Sequence, residues 1–176
     1  MSSKTLIHHN IAYLEQAIGL TKDVADEGYC ECRPPFFASG IGDHLRHVIE
    51  HYQCFLTGFE SGAINYDSRK RDRSISSDRV HAATVLRDLK DELLAIDMAD
   101  KAVSVRQDGS DSDADAEPWS QSTIRRELQY LQAHTVHHYA LIAFILRLQG
   151  REPSPSFGMA PSTLRHRKEA EGAVAS

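Results

Sequence analysis

The sequence predicts an all-α protein, a four-helix bundle with long connections between helices two and three and between helices three and four. Three observations lead there. Four stretches carry apolar residues at helical spacing. Little of the chain alternates as a strand does. Its 176 residues suit one domain with a core of its own.

The first predicted helix covers 4–26, where Ile7, Ile11, Leu14, Ile18, Thr21 and Ala25 recur on one face. Gly28 and the Pro34-Pro35 pair end it. The second covers 39–59, with Ile41, Leu45, Val48, Tyr52, Phe55 and Phe59 as its apolar face. Residues 61–77 form a connection rich in Ser, Gly, Asn, Asp and Arg, without periodicity. The third helix covers 78–97. Val80, Ala83, Leu86, Leu89, Leu93 and Ile96 make its stripe, and Asp78 suits the N-cap.

Residues 101–107 alternate and predict a short strand or extended segment. Residues 108–117 are acidic and turn-like. Asp111-Ser-Asp113-Ala-Asp115 resembles the start of an EF-hand loop, but Ala116 and Ser122 stand where Gly and Glu are needed. This reads as a solvated acidic loop. Trp119 suits a hydrophobic staple for the next helix or a pocket wall. The fourth helix covers 122–149. One domain is expected over 1–165, and a flexible tail over 166–176.

Lys plus Arg is 20 and Asp plus Glu is 25, a net charge of −5. That balance gives no general attraction to nucleic acid or to anionic membranes. No apolar run approaches the ~18 residues of a membrane span, and no secretory signal is visible. Three cysteines, two of them spaced C-x-C, fit reduced thiols and a cytoplasmic location.

Histidine is the anomaly, at 10 residues. Three fall on the second predicted helix (His44, His47, His51) and three on the fourth (His134, His137, His138). On a helical wheel with His134 at about 0°, His138 lies at about 40° and Leu141 at about −20°. The wheel puts both histidines mid-face, toward the core. Their i, i+4 spacing lets two imidazoles from one helix reach one metal ion. Zinc proteases share that spacing, but Thr135 stands where they carry Glu, so that reading fails. Di-iron bundles need Glu-x-x-His motifs, which this chain lacks. Glu127 maps to the same face two turns earlier, a weak candidate for a catalytic base. On the second helix the wheel prefers His44 or His51 as the inward ligand. It puts His47 nearest the polar side.

Ile41-Gly-Asp-His44-Leu-Arg-His47-Val48 and His134-Thr-Val-His137-His138 resemble motifs of the DinB/YfiT-like superfamily of metal-binding four-helix bundles. The resemblance implies His47, His134 and His138 as ligands, with His51 as second choice or fourth ligand. Tyr66-Asp67-x-Arg69-x-Arg71 and Phe157-Gly158-Met159-Ala160-Pro161-Ser162-Thr163 look like subfamily signatures. Tyr66, Asp67, Arg69 and Arg71 are pocket candidates, because an Arg pair suits a carboxylate or phosphate.

The expected cofactor is one divalent ion, Zn, Ni or Fe. The expected function is a metal-dependent enzyme, a hydrolase or thiol S-transferase, activating water or a small thiol. The alternative is a non-catalytic metal- or ligand-binding bundle with a stress-response accessory role. The resemblance also implies a homodimer.

Overall fold

The computed structural model describes residues 3–96, 99–107 and 119–174. In chain order the elements are α1 (Ser3–Asp23), α2 (Asp26–Cys30), α3 (Ile41–Gly58), β1 (Ala63–Asn65) and a 3-10 turn (Tyr66–Ser68). There follow α4 (Arg73–Ser77), α5 (Arg79–Ala95), β2 (Ala102–Arg106), β3 (Ser120–Thr123), α6 (Ile124–Leu148) and α7 (Pro161–Val174).

The long helices begin where short polar side chains can occupy free backbone N–H groups. The Asp78 carboxylate accepts from the N–H groups of Val80 and His81 and starts α5. The Thr123 hydroxyl accepts from the Arg126 N–H and starts α6. The Asp43 carboxylate reaches back to the Gly40 N–H at the head of α3.

The helices α1 and α3 each pack against both α5 and α6. Leu14, Leu45, Val48, Ile49, Phe55, Leu86, Leu128, Leu131 and Ile142 are fully buried between them. Each such leucine or isoleucine contributes about 1.5–3 kcal/mol through burial. Among the described residues no helix is long and apolar enough to cross a membrane.

The molecule is mostly helical, and a small sheet accompanies the helices. A three-stranded sheet in the order β1-β2-β3 joins the connections. β1 runs parallel to β2, with Ile64 opposite Val105, and β2 runs antiparallel to β3, with Val103 opposite Ser122. The expected extended segment at 101–107 is β2. The stretch 61–77 is no plain loop: it holds β1, the 3-10 turn and α4. Its short elements hide from sequence periodicity because each is three to five residues long. Gly58 lets β1 pass directly over the end of α3, where a Cβ would collide with the Ala63 carbonyl.

Residues 161–174 form a helix where the sequence reading ends the domain at 165. The segment before it folds back on the body. Phe157 stacks on Tyr139 at 4.8 Å, and the Tyr13 hydroxyl donates to the Met159 carbonyl at 2.7 Å. Trp119, just before β3, is 38% exposed. The acidic stretch 108–117 lies outside the described residues.

One buried polar cluster ties three helices together. The Tyr52 hydroxyl donates to Asn10 Oδ1 at 2.7 Å and lies 3.3 Å from the Thr135 hydroxyl. Asn10 in turn donates to the Leu128 carbonyl at 3.1 Å. Within this cluster Asn10, Tyr52 and Thr135 each have a partner, as a low-dielectric interior demands. Because Tyr52 follows His51 and Thr135 follows His134, this cluster sets the relative height of α3 and α6.

Candidate metal centre

The buried face of α6 carries Leu128, Leu131, Thr135, Tyr139, Ile142 and Leu146. It centres near Thr135, about 100° from His134. The two histidines therefore sit at the edge of that face and not in its middle. Leu141, expected inside, is 38% exposed for the same reason. On α3, His44, His47 and His51 flank the core stripe in turn. The two histidine edges meet along the α3–α6 seam.

His47 Nε2 lies 3.1 Å from His134 Nε2. The His51 ring lies 4.0 Å from that of His134 and 4.4 Å from that of His47, centroid to centroid. Ligand atoms of His47, His51 and His134 all fall within 4.8 Å of one another. His138 stands beside this trio, its ring 4.5 Å from His47 and 4.6 Å from His134. Its Nδ1 meets His44 Nδ1 at 3.1 Å. His137 is exposed on the outer face of α6.

The tightest trio thus has His51 where the family resemblance puts His138. The reason is rotational. His138 turns toward His44, whereas His51 is anchored inward by a hydrogen bond from its Nδ1 to the His47 carbonyl at 2.8 Å.

Burial disfavours the charged imidazolium. It holds His134 down at about 2, His47 at about 3, and His51 and His138 at about 4. Repulsion from neighbouring histidines adds to the effect on His47, His134 and His138. Burial lowers His44 as well. At neutral pH these rings are uncharged and offer lone pairs.

The 3-10 turn closes one side. Tyr66 is buried, stacks on His51 at 5.4 Å and donates its hydroxyl to Glu127 Oε2 at 3.0 Å. Ser122 donates to the other Glu127 oxygen at 2.5 Å. Burial, then the nearby Glu127 charge, pushes the Tyr66 phenol far up, so it stays a donor. Glu127 is buried and two turns before His134, yet it reaches the cluster through Tyr66. Arg69 donates Nη1 to His47 Nδ1 at 2.5 Å and Nε to the Tyr66 carbonyl at 3.1 Å.

The Asp67 carboxylate lies 3.7 Å from Arg106 Nε. Arg71 is exposed, with a left-handed φ of 53°. Among the pocket candidates, Tyr66 stacks on His51 and Arg69 donates to His47.

Tyr130, not among the residues predicted from sequence, stacks on His134 at 5.5 Å, and its ring lies tilted against Tyr66 at 5.1 Å. Its position four residues before His134 on one helix is the signal that points to it. A cavity of about 340 Å³ opens beside it, lined by Val105, Gln107, Gln121, Ser122, Glu127 and Tyr130 among others. The β2–β3 edge supplies one wall of this cavity, and α6 the other.

No family model matches the chain. Over 112 residues it is 38% identical to a protein of Rhizopus delemar named FK506-binding protein 5. The aligned stretch takes in 60% of this chain and 28% of that protein, so the chain spans under a third of the relative's length.

Proposed function

We propose that this chain is a metal-dependent enzyme, a four-helix bundle of the DinB/YfiT-like superfamily that activates water or a small thiol for hydrolysis or S-transfer. The observation that carries the reading is the convergence of His47, His51 and His134 from two helices. Nitrogens 2.0–2.1 Å from a tetrahedral zinc lie roughly 3.3 Å apart, and His47 Nε2 and His134 Nε2 are 3.1 Å apart.

The donor chemistry fits as well. All three rings are neutral at pH 7, as ligation requires. His51 donates Nδ1 to a backbone carbonyl and leaves Nε2 for a metal, the usual outer-sphere arrangement. His134 Nδ1 is buried with no partner among the described residues.

A divalent ion held there would lower the pKa of a water or thiol toward neutrality. The chain's own residues position the rest. Tyr66 braces the His51 ring and is itself held by Glu127. This makes Glu127 a positioning residue. The 340 Å³ cavity bounded by Glu127 and Tyr130 suits a small-molecule substrate. Exposed Leu141 and Phe144 on the outer face of α6 support a second copy as partner.

A second reading is a closed, non-catalytic site. It is favoured by the His138 ring, close to both His47 and His134, which can add a fourth nitrogen. Coordination number separates the two.

The test is metal content, by mass spectrometry, of untagged protein purified without nickel resin. We expect one divalent ion per chain, lost in His51→Ala and His134→Ala. X-ray absorption on the loaded protein then counts three imidazoles plus a light exogenous ligand, or four imidazoles. Protein that takes up no Zn, Ni or Fe(II) overturns the reading.

A further inference from the structure

The three nitrogens of the Arg69 guanidinium matter here. Nε is tied to the Tyr66 carbonyl, and Nη1 points at His47 Nδ1. Among the described residues Arg69 forms no ion pair with a carboxylate. Its charge stands half-buried beside the histidine cluster, with the Nη2 donors unassigned.

A guanidinium only donates hydrogen bonds. His47 Nδ1 must therefore accept from Arg69, and the ring's hydrogen sits on Nε2. That hydrogen points at His134 Nε2, 3.1 Å away. His134 then carries its own hydrogen on Nδ1, the atom left without a partner. His51 and His134 are thus already in the tautomer that ligation through Nε2 requires, and His47 is in the opposite one. A neutral imidazole ligating through Nε2 has its hydrogen on Nδ1. There it faces the Arg69 donor, hydrogen against hydrogen. The Arg69–His47 bond and ligation through His47 Nε2 exclude each other.

Resting on the metal reading above, we propose that metal binding releases Arg69 from His47 and that Arg69 then serves as the receptor for a substrate oxyanion, a carboxylate or a phosphoryl group. The guanidinium fork matches either group with two parallel hydrogen bonds. Its Nε anchor on the Tyr66 carbonyl keeps it at the site after release. Metal and oxyanion then bind with positive coupling, and by linkage each strengthens the other equally. An enzyme built this way assembles its substrate receptor only when its ion is in place.

The experiment is a Zn(II) titration against a chromophoric chelator at fixed pH and ionic strength. It is run in sodium perchlorate, in sodium acetate and in sodium methylphosphonate, for wild type and Arg69→Gln. In wild type we expect acetate or methylphosphonate to tighten zinc binding about 5-fold or more. The arm that responds names the oxyanion. In Arg69→Gln we expect the anion effect to vanish, and zinc binding in perchlorate to be at least as tight as in wild type.

Wild-type affinity unmoved by both anions overturns the proposal, as does the same shift in wild type and Arg69→Gln. Zinc uptake without an anion effect leaves the metal reading standing. Absence of zinc uptake sinks both. Nitrogen-15 spectra of the histidine rings test the same point without a variant. His47 should carry its hydrogen on Nε2 without zinc and on Nδ1 with it. A hydrogen on Nδ1 in the zinc-free protein overturns the proposal.

Discussion

His47 Nε2 and His134 Nε2 meet at 3.1 Å although 87 residues separate them in the chain. Neither ring is charged at neutral pH, because burial and the neighbouring histidines hold both far below the usual imidazole range. Two neutral rings edge to edge share one hydrogen. A metal ion can take its place.

Ligand removal should sort the five histidines. His47→Ala, His51→Ala and His134→Ala are expected to lose zinc beyond the ~10–100-fold that outer-sphere changes cost. His44→Ala, which frees His138, is expected to stay within that range. Zinc competition titrations on the variants check the ranking. A severe loss in His138→Ala with little effect of His51→Ala would restore the ligand set implied by the family resemblance.

Stability of the metal-free protein should fall with acid. The folded pKa values of His47, His51, His134 and His138, at about 2 to 4, lie below the unfolded value of about 6.5. Below that value the unfolded chain binds more protons than the native one, so acid favours unfolding. The contribution is fully present above pH 6.5 and is lost as pH falls through the folded values. Thermal melts from pH 7.5 to 4 in chelator should show Tm dropping steadily below about pH 6.5. A flat Tm over that range would show that the rings are solvated.

Tyr66→Phe removes the donor to Glu127 while keeping the ring on His51. Hydrogen bonds to charged groups contribute about 1.5–3 kcal/mol, so urea unfolding should show a loss of that order. Zinc stoichiometry should stay unchanged, because His51 keeps its anchor on the His47 carbonyl. Tyr66→Ala should weaken zinc binding as well, because it takes away the ring that braces His51.

Gly158→Ala tests the returning tail apart from the site. Gly158 has a left-handed φ of 63°, and an added Cβ would lie 2.6 Å from Tyr139 Cβ. Strain of this kind costs on the order of 1–3 kcal/mol. Denaturant titration should show that loss, with zinc affinity unaltered.

The four long helices were legible in the sequence because helical periodicity is local: Leu86, Leu89 and Leu93 declare one face wherever the helix ends up. Asp78 as N-cap was legible for the same reason. So was the crowding of histidines onto two helices. What one chain segment cannot show is how far a helix turns against its neighbour. The wheel put His134 mid-face and Leu141 inside. Packing through Thr135 and Tyr52 instead rotates α6 so that the histidines line its edge.

That rotation decides which of His44, His47 and His51 meets His134, a difference of one helical turn with no local signature. The sheet was hidden for a related reason. β1 has three residues and pairs with β2 some 40 positions later, so its stability comes from the partner strand and not from its own sequence. Arg69 reaches His47 only because that sheet and the 3-10 turn after it hold the connection against α3. Residue types and spacing determined that a histidine cluster was available. Only tertiary packing decided which rings converge and which cation stands over them.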